Sequence, residues 1–487
     1  MASKSKTTPF NEKRISDPVH GTIGLSKIEC DIIDTPAFQR LRNVKQLGLA
    51  YYVFPGADYS RFAHSIGVCH VTGRILESLR GNGTDIDDRE IQRYRLAGLC
   101  HDIGHYPFSH AAEEAIANHY DAMLLTQAGI PPTELSQEAH SDAEPYFNHE
   151  ALGKEILKND PDVSRLLGNQ GFGEDIVSSV FFRSDPSARF ANLVSSDLDA
   201  DRIDYLLRTA RHTGLPYGSV DIDYLLSQIL VDGEQHVCID EKALRAADHF
   251  LLCRYFDFQQ VSYHKTVAAM EWVLKDVVAS LLSRGALDFS GMDVISRITR
   301  GVWSSVDDAY MLGKIRELTA DTQVEAGIRV KANSIIYRNP PKLLVQMERI
   351  DPRSNSSRNS FLSNVQLVRS RIPYWASNFR VAADQWHVWH KNITMTKIGS
   401  MLPTSTIEGG ASGTDKDRYE QAVRVASRDR RTSTPISELP HSLMSVLSNQ
   451  EFYALRVYVL LTPETETLRD RIERQIRSDL PNIGWNE

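Results

Sequence analysis

The segment Leu99-Cys-His-Asp-Ile-Gly-His-Tyr-Pro-Phe-Ser-His110 places three histidines and a carboxylate within ten residues, in a chain that has 16 histidines. The apolar residues Leu96, Leu99 and Cys100 lead straight into His101-Asp102, so a polar pair arrives at the end of a buried helix. A buried polar group without a partner costs on the order of 1–3 kcal/mol. A metal ion is one partner that removes the cost. Neighbours on a helix point about 100° apart, which lets both side chains reach one ion. Imidazole with carboxylate suits first-row ions such as Mn, Fe, Co, Ni or Zn better than calcium. A lone His-Asp pair fits a capped helix end with a satisfied histidine equally well, so its company matters.

That company comes from two directions. Ser60-Arg-Phe-Ala-His-Ser-Ile-Gly67 puts His64 on an earlier helix, with a glycine about one turn on. Ser195-Ser-Asp-Leu-Asp-Ala-Asp-Arg-Ile-Asp-Tyr205 supplies four acids in eight positions. An acid run that dense usually marks a solvated face, but Leu198, Ile203, Leu206 and Leu207 form an apolar stripe beside it. The series RFxHSxGV, LCHDxGHxPFSH and DxDRxDYLxRTxxHTG resembles the HD superfamily of metal-dependent nucleotide phosphohydrolases. The resemblance is to the branch that holds the mammalian SAM-and-HD-domain deoxynucleotide triphosphohydrolase and bacterial dNTPases and dGTPases. It runs over about residues 15–285, through Ser16-Asp-Pro-Val-His-Gly21, Asp34-Thr-Pro-Ala-Phe-Gln-Arg-Leu-Arg42, Lys45-Gln-Leu-Gly48, Tyr52-Val-Phe-Pro-Gly56 and Tyr263-His-Lys265.

The resemblance implies roles residue by residue. His64, His101, Asp102 and Asp201 match the metal ligands, and the ion could be Mn, Fe, Mg, Co, Ni or Zn. His105, His110 and His149 match histidines facing the phosphates. Glu113 stands where the family has an aspartate paired to a catalytic histidine. Gln46, Arg61, Tyr205 and His212 fall in the substrate-facing set. Asp34, Gln39 and Arg42 match residues that bind an activating nucleotide, although the same stretch serves as a plain helix start. Two departures stand out: Glu113 is one methylene longer than the usual Asp, and Thr209 replaces an Asp near the deoxyribose. The implied reaction turns a deoxynucleoside triphosphate (dNTP) and water into deoxynucleoside and triphosphate by attack at the α-phosphorus. The alternatives are an HD-type phosphodiesterase or nuclease acting on nucleic acid or a cyclic nucleotide, and a nucleotide-sensing or anti-phage defence subunit. A homo-oligomer is expected by analogy with the family. No phosphate loop of the GxxxxGK type, GxSxG or HExxH competes.

Several elements must carry these residues. Asp34 or Thr35 can cap a helix with Pro36 in its first turn. Helical spacing marks His64–Leu79, Ile91–Cys100, Asp221–Leu230 and Val267–Leu282, while Leu49–Val53 and Val237–Ile239 have strand cues. His110 and Glu113, three apart, share a face if a helix continues there. Helices go on through 287–320, with Ser304 or Ser305 before Asp307-Asp308 as a start. Beyond Gln323 the texture changes: Val324–Val330 and Lys342–Met347 suggest strands, Ser354–Ser360 a loop and Thr404–Asp417 a flexible segment. Phe452–Leu461 then suggests a strand, and Thr462-Pro-Glu opens a charged helix to Ile476. The expected architecture is mainly α-helical with a smaller α+β C-terminal part: an arm over 1–14, a helical HD domain over 15–322, and an α+β region over 323–487.

Bulk properties agree with that class. The 487 residues are 41% hydrophobic and 24% charged, enough for a sizeable core. The net charge of −8 argues against a surface built wholly for nucleic acid, leaving Arg428, Arg430 and Arg431 as one local basic spot. Five cysteines without a CxxC pair point away from a disulfide framework and toward a reducing compartment. The polar start, MASKSKTTPFNEKR, reads as no secretory signal, and a cytoplasmic location is expected.

Overall fold

The computed structural model describes residues 10–128, 148–173, 198–394 and 422–486, with Val177, Phe190 and Leu193 besides. The segment Thr404–Asp417 lies outside the described residues. The chain opens with a hairpin, β1 (Lys13–Asp17) paired antiparallel to β2 (Gly21–Leu25), so structure begins inside the expected arm. Helix α1 (Lys27–Ile33) follows, with a capping box between Ser26 and Glu29. The short helix Pro36–Gln39 is capped by Thr35 and starts on Pro36.

Four helices then carry the chemistry: α2 (Arg61–Gly81), α3 (Asp88–Cys100), α4 (His110–Ala128) and α5 (His149–Asn159). Helix α6 (Ala200–Thr213) ends on Gly214, whose φ of 74° is the left-handed conformation that suits glycine at a helix C-terminus. After β3 (Ile229–Val231) and β4 (Val237–Ile239) come α7 (Lys265–Ser283), α8 (Asp308–Ala320) and α9 (Ala326–Ile336). The remainder is β5 (Lys342–Pro352), α10 (Asn355–Phe379), β6 (Trp386–Thr394), β7 (Arg424–Ala426), β8 (Ser433–Pro435), β9 (Gln450–Val459) and α11 (Arg469–Asp479). The fold is mainly helical with a smaller sheet-containing C-terminal region.

One large apolar core runs through the helical part and takes in Tyr458 of the C-terminal sheet and Leu460 just beyond it. A smaller core lies between that sheet and helices α10 and α11. The sheet is antiparallel in the order β5-β9-β6. Its central strand β9 is buried at every position from Glu451 on, because both faces are covered. A second sheet, β3-β4-β7-β8, joins the two regions through the parallel pair β4-β7.

Several local expectations change. Leu49–Val53 is a 3-10 turn at Ala50–Tyr52, tied down by Tyr52, whose hydroxyl donates to the Ile335 carbonyl at 2.6 Å. Asp221–Leu230 splits into a helix at Ile222–Ser227 and strand β3. Val324–Val330 runs into α9, because Ile328, Ala332 and Ile335 form an apolar stripe that outweighs β propensity. Ser354–Ser360 opens α10 instead of looping, with the Ser354 hydroxyl capping Ser357 N–H at 3.0 Å. The helix expected from Ser304 or Ser305 is capped by Asp307, and the one expected from Thr462 begins at Arg469.

Candidate metal centre and active site

Helices α2, α3 and α6 bring the first group together. Ser60 caps α2 and Asp199 caps α6. His64 leaves α2 one turn from its start, and its Nδ1 lies 2.7 Å from Asp204 Oδ2. Asp204 is paired to Arg208, so its carboxylate is an acceptor and His64 Nδ1 must donate. His101, at the end of α3, has Nδ1 2.8 Å from the Gly98 carbonyl, which again makes Nδ1 the donor. Both imidazoles therefore turn Nε2 to one centre. There His64 Nε2 stands 2.9 Å from Asp201 Oδ1 and 3.6 Å from Asp102 Oδ2. His101 Nε2 stands 3.4 Å from Asp102 Oδ1 and 3.8 Å from Asp201 Oδ1.

These separations suit donors around one ion. Bonds of about 2.0–2.2 Å from nitrogen and oxygen put neighbouring ligands roughly 3 Å apart. His64 Nε2 is buried among these carboxylate oxygens with no well-aligned hydrogen bond, a setting that a cation satisfies. His64, His101 and Asp201 converge closely enough to hold a divalent metal ion, with Asp102 beside them.

The second group is built on the turn between α3 and α4. Phe108 and Ser109 have φ of 58° and 57°, left-handed conformations that cost non-glycine residues about 1–3 kcal/mol each. Neighbours hold the corner. Phe108 N–H donates to Asp308 Oδ1 at 2.8 Å, the Ser109 hydroxyl donates to the Lys45 carbonyl at 2.9 Å, and Arg61 Nε donates to Ser109 Oγ at 2.9 Å. Arg40 adds a clamp. Its guanidinium donates to the carbonyls of His105 at 2.6 Å, Ile103 at 3.1 Å and Val306 at 2.7 Å.

The corner starts α4 at His110 and aims it at two other imidazoles. His105 and His149 stack with centroids 3.7 Å apart, and His110 meets His105 edge-on at 5.0 Å. Glu113 Oε2 lies 3.2 Å from His149 Nδ1, 3.5 Å from His110 Nδ1 and 3.7 Å from His105 Nδ1. Burial opposes ionisation of Glu113, but hydrogen bonds from His110 and His149 hold its carboxyl well below the usual range. Burial, with the charge of Arg61, keeps His105 neutral. Asp102 joins the two groups, since its Oδ1 is 3.2 Å from His105 Nε2.

The remaining expected residues sit as follows. Arg61 is buried, and its Nη1 donates to Asp102 Oδ2 at 2.5 Å. Gln46 has a buried Oε1 without a partner and lines a cavity of about 430 Å³ shared with His110, Ser109 and Tyr263. Tyr205 is half-buried on α6, and burial raises its hydroxyl pKa. His212 turns away, with Nδ1 3.1 Å from the Gly56 carbonyl and its ring 4.9 Å from Tyr59. Thr209 Oγ1 pairs with the Tyr59 hydroxyl at 2.8 Å. Gln39 accepts from Arg42 at 2.7 Å, and Arg42 lies over the Phe62 ring. Asp34 is exposed at the end of α1. The basic spot is balanced: Arg428 faces Glu241, Arg430 pairs with Asp240 at 3.0 Å, and Arg431 faces Asp429.

Asp204, Arg208 and His20 around His64 carry no assignment in the sequence reading, nor does Arg40. The signal for one pair was available: Asp204 and Arg208 are four apart on a helix, the spacing of an ion pair.

Comparisons with known proteins fall on the same residues. The HD domain family model matches residues 61–209, which include all four candidate metal ligands. The deoxynucleoside triphosphate triphosphohydrolase SAMHD1 of Xenopus laevis is 50% identical over 367 residues, covering 69% of this chain and 54% of that protein. The uncharacterized protein YwfO of Bacillus subtilis is 32% identical over 270 residues, 55% of each chain. A crystal structure of a hypothetical protein from Aquifex aeolicus superposes with a TM-score of 0.67 at 25% identity, over 95% of this chain and 99% of that one. A phosphohydrolase from Bacteroides thetaiotaomicron shares the fold, with a TM-score of 0.64 at 21% identity over 91% and 99% of the two chains. The chain spans 55% to 64% of the length of the first three curated relatives it matches. Among the described residues no helix is long and apolar enough to cross a membrane.

Proposed function

We propose, from the HD domain that residues 61–209 carry, that the chain is a metal-dependent phosphohydrolase releasing triphosphate from dNTPs. The observation that carries the reading is the junction of two groups through one side chain: Asp102 touches both the His64–His101–Asp201 centre and the His105–His149 stack. The similarity to a deoxynucleoside triphosphate triphosphohydrolase supports the substrate class.

His64, His101, Asp102 and Asp201 would hold the divalent ion, which would supply Lewis-acid polarisation of a phosphoryl oxygen and offset its charge. The chain's own groups do the rest. Arg61 neutralises one oxygen of Asp102 and keeps that carboxylate ionised and oriented. Glu113 faces Nδ1 of His149 and leaves Nε2 toward the substrate, where a proton can be held and passed to the departing 5′ oxygen. Water adds to the α-phosphorus, the bond from that phosphorus to the 5′ oxygen breaks, and triphosphate leaves intact. Gln46, which lines the same cavity as His110, would face the sugar. The same reading extends to a homo-oligomer with an effector nucleotide at Asp34, Gln39 and Arg42.

Incubation of the protein with each dNTP and Mn²⁺ or Mg²⁺ tests it, with products separated by anion exchange. Deoxynucleoside and inorganic triphosphate in equal amounts are expected. Pyrophosphate with a monophosphate, or no turnover with any divalent ion, would sink the reading.

A further inference from the structure

Asp204 and the turn Asp17–His20 form a closed network behind the metal centre. Each oxygen of Asp204 takes two partners. Oδ2 lies 2.7 Å from His64 Nδ1 and accepts from Arg208 Nε at 2.9 Å. Oδ1 lies 2.6 Å from His20 Nε2 and accepts from Arg208 Nη2 at 2.8 Å. A carboxylate offers about four acceptor sites, so this one is saturated. Arg208 then reaches Asp17 Oδ2 at 2.8 Å, and Asp17 Oδ1 accepts from the N–H groups of Val19 and His20 at 2.8 and 2.9 Å. Asp204, Arg208 and His64 are fully buried, so no water competes for these bonds. Gly67 leaves the space: a Cβ there would stand 1.8 Å from Asp204 Oδ1.

We infer that His20 and Asp204 are positioning residues of the metal centre, so that the N-terminal hairpin turn helps to set its metal affinity. The inference rests on the proposed metal centre and deepens it. Asp204 keeps an oxygen on His64 Nδ1 only while the plane of its carboxylate is held. The His20 N–H on Oδ1, together with Arg208, holds that plane. The His64 ring is then held with Nε2 toward the centre it shares with Asp201 and Asp102. Partners behind a ligating imidazole typically change metal affinity about 10- to 100-fold.

The test is Mn²⁺ binding to the full chain, by titration calorimetry and by the electron paramagnetic resonance of free Mn²⁺. His20→Phe keeps a ring beside His70 but removes the donor, whereas His20→Gln keeps an N–H of similar reach. His20→Phe should weaken Mn²⁺ binding about 10- to 100-fold, and His20→Gln should recover most of it. A thermal melt in chelator separates this from a structural role, because loss of packing lowers the melting temperature of both variants without splitting their affinities. Equal Mn²⁺ affinity in parent and His20→Phe would overturn the inference while leaving the proposed reaction intact. A parent that binds no Mn²⁺ would overturn the metal centre and the inference with it. A parent that binds Mn²⁺ but releases no triphosphate would fail the proposed reaction alone.

Discussion

Glu113 is one methylene longer than the aspartate expected at its position, and the length is used. From the first turn of α4 it reaches imidazoles on three stretches of chain, His105, His110 and His149. Hydrogen bonds from His110 and His149 outweigh its burial and keep its carboxyl ionised. Glu113→Gln preserves shape and removes the charge. In the proposed reaction it should lower kcat by about 10²- to 10⁴-fold while KM and bound metal stay near the parent's. Steady-state kinetics with metal analysis of the same sample checks this, and an unchanged kcat would remove Glu113 from the proton path. At this scale the sequence was legible where the ligands were contiguous, as in His101-Asp102. It was less so in the acid run on α6, where Asp199 caps the helix, Asp201 faces the centre and Asp204 backs His64. Three residues at about 100° each separate the last two by roughly 60° around the axis. A list of acids does not reveal which side of His64 each will take.

The elements hold the site through backbone as much as through side chains. Arg40 belongs to the Asp34–Arg42 stretch, where a packing role competed with an effector site. Its guanidinium is 2% exposed and serves three carbonyls around the turn that carries His105. It also lies over the Trp303 ring. Arg40→Met keeps much of the stem and removes every donor. Each buried carbonyl left bare costs about 1–3 kcal/mol, so with three of them the variant should lose roughly 3 kcal/mol or more in urea denaturation. A loss under about 1 kcal/mol would mean that water replaces the guanidinium. The helices bearing the site were readable from apolar spacing and capping residues, because those signals are local. The left-handed corner at Phe108-Ser109 was not. Neither residue favours that conformation, and its supports, Asp308 and Lys45, come from distant segments.

At the scale of the molecule, the change of texture near Gln323 was visible in the sequence. How the two regions join was not: β7 pairs with β4 far upstream, and Arg456 on β9 donates to the Tyr263 carbonyl at 2.5 Å. Such partners are chosen by burial and leave no period in the chain. The seam between α7 and β6 carries a consequence for acid stability. His387 stacks on Trp272 with centroids 4.8 Å apart. Burial, then the charges of Lys275 and Arg369, push His387 down to about 3. Its unfolded value is about 6.5. Between those values the unfolded chain takes up a proton that the folded chain refuses, so acid favours unfolding. The contribution is whole above about pH 6.5 and is lost as the pH falls toward 3. His387→Phe retains a ring against Trp272 and has nothing to protonate. Its melting temperature should fall less than the parent's between neutral pH and pH 4, while the two stay similar near pH 8. His70, pushed down to about 4 by burial and the neighbouring His20, keeps part of the acid sensitivity in both. Parallel melting curves across the whole range would show that the seam stays closed when His387 is charged.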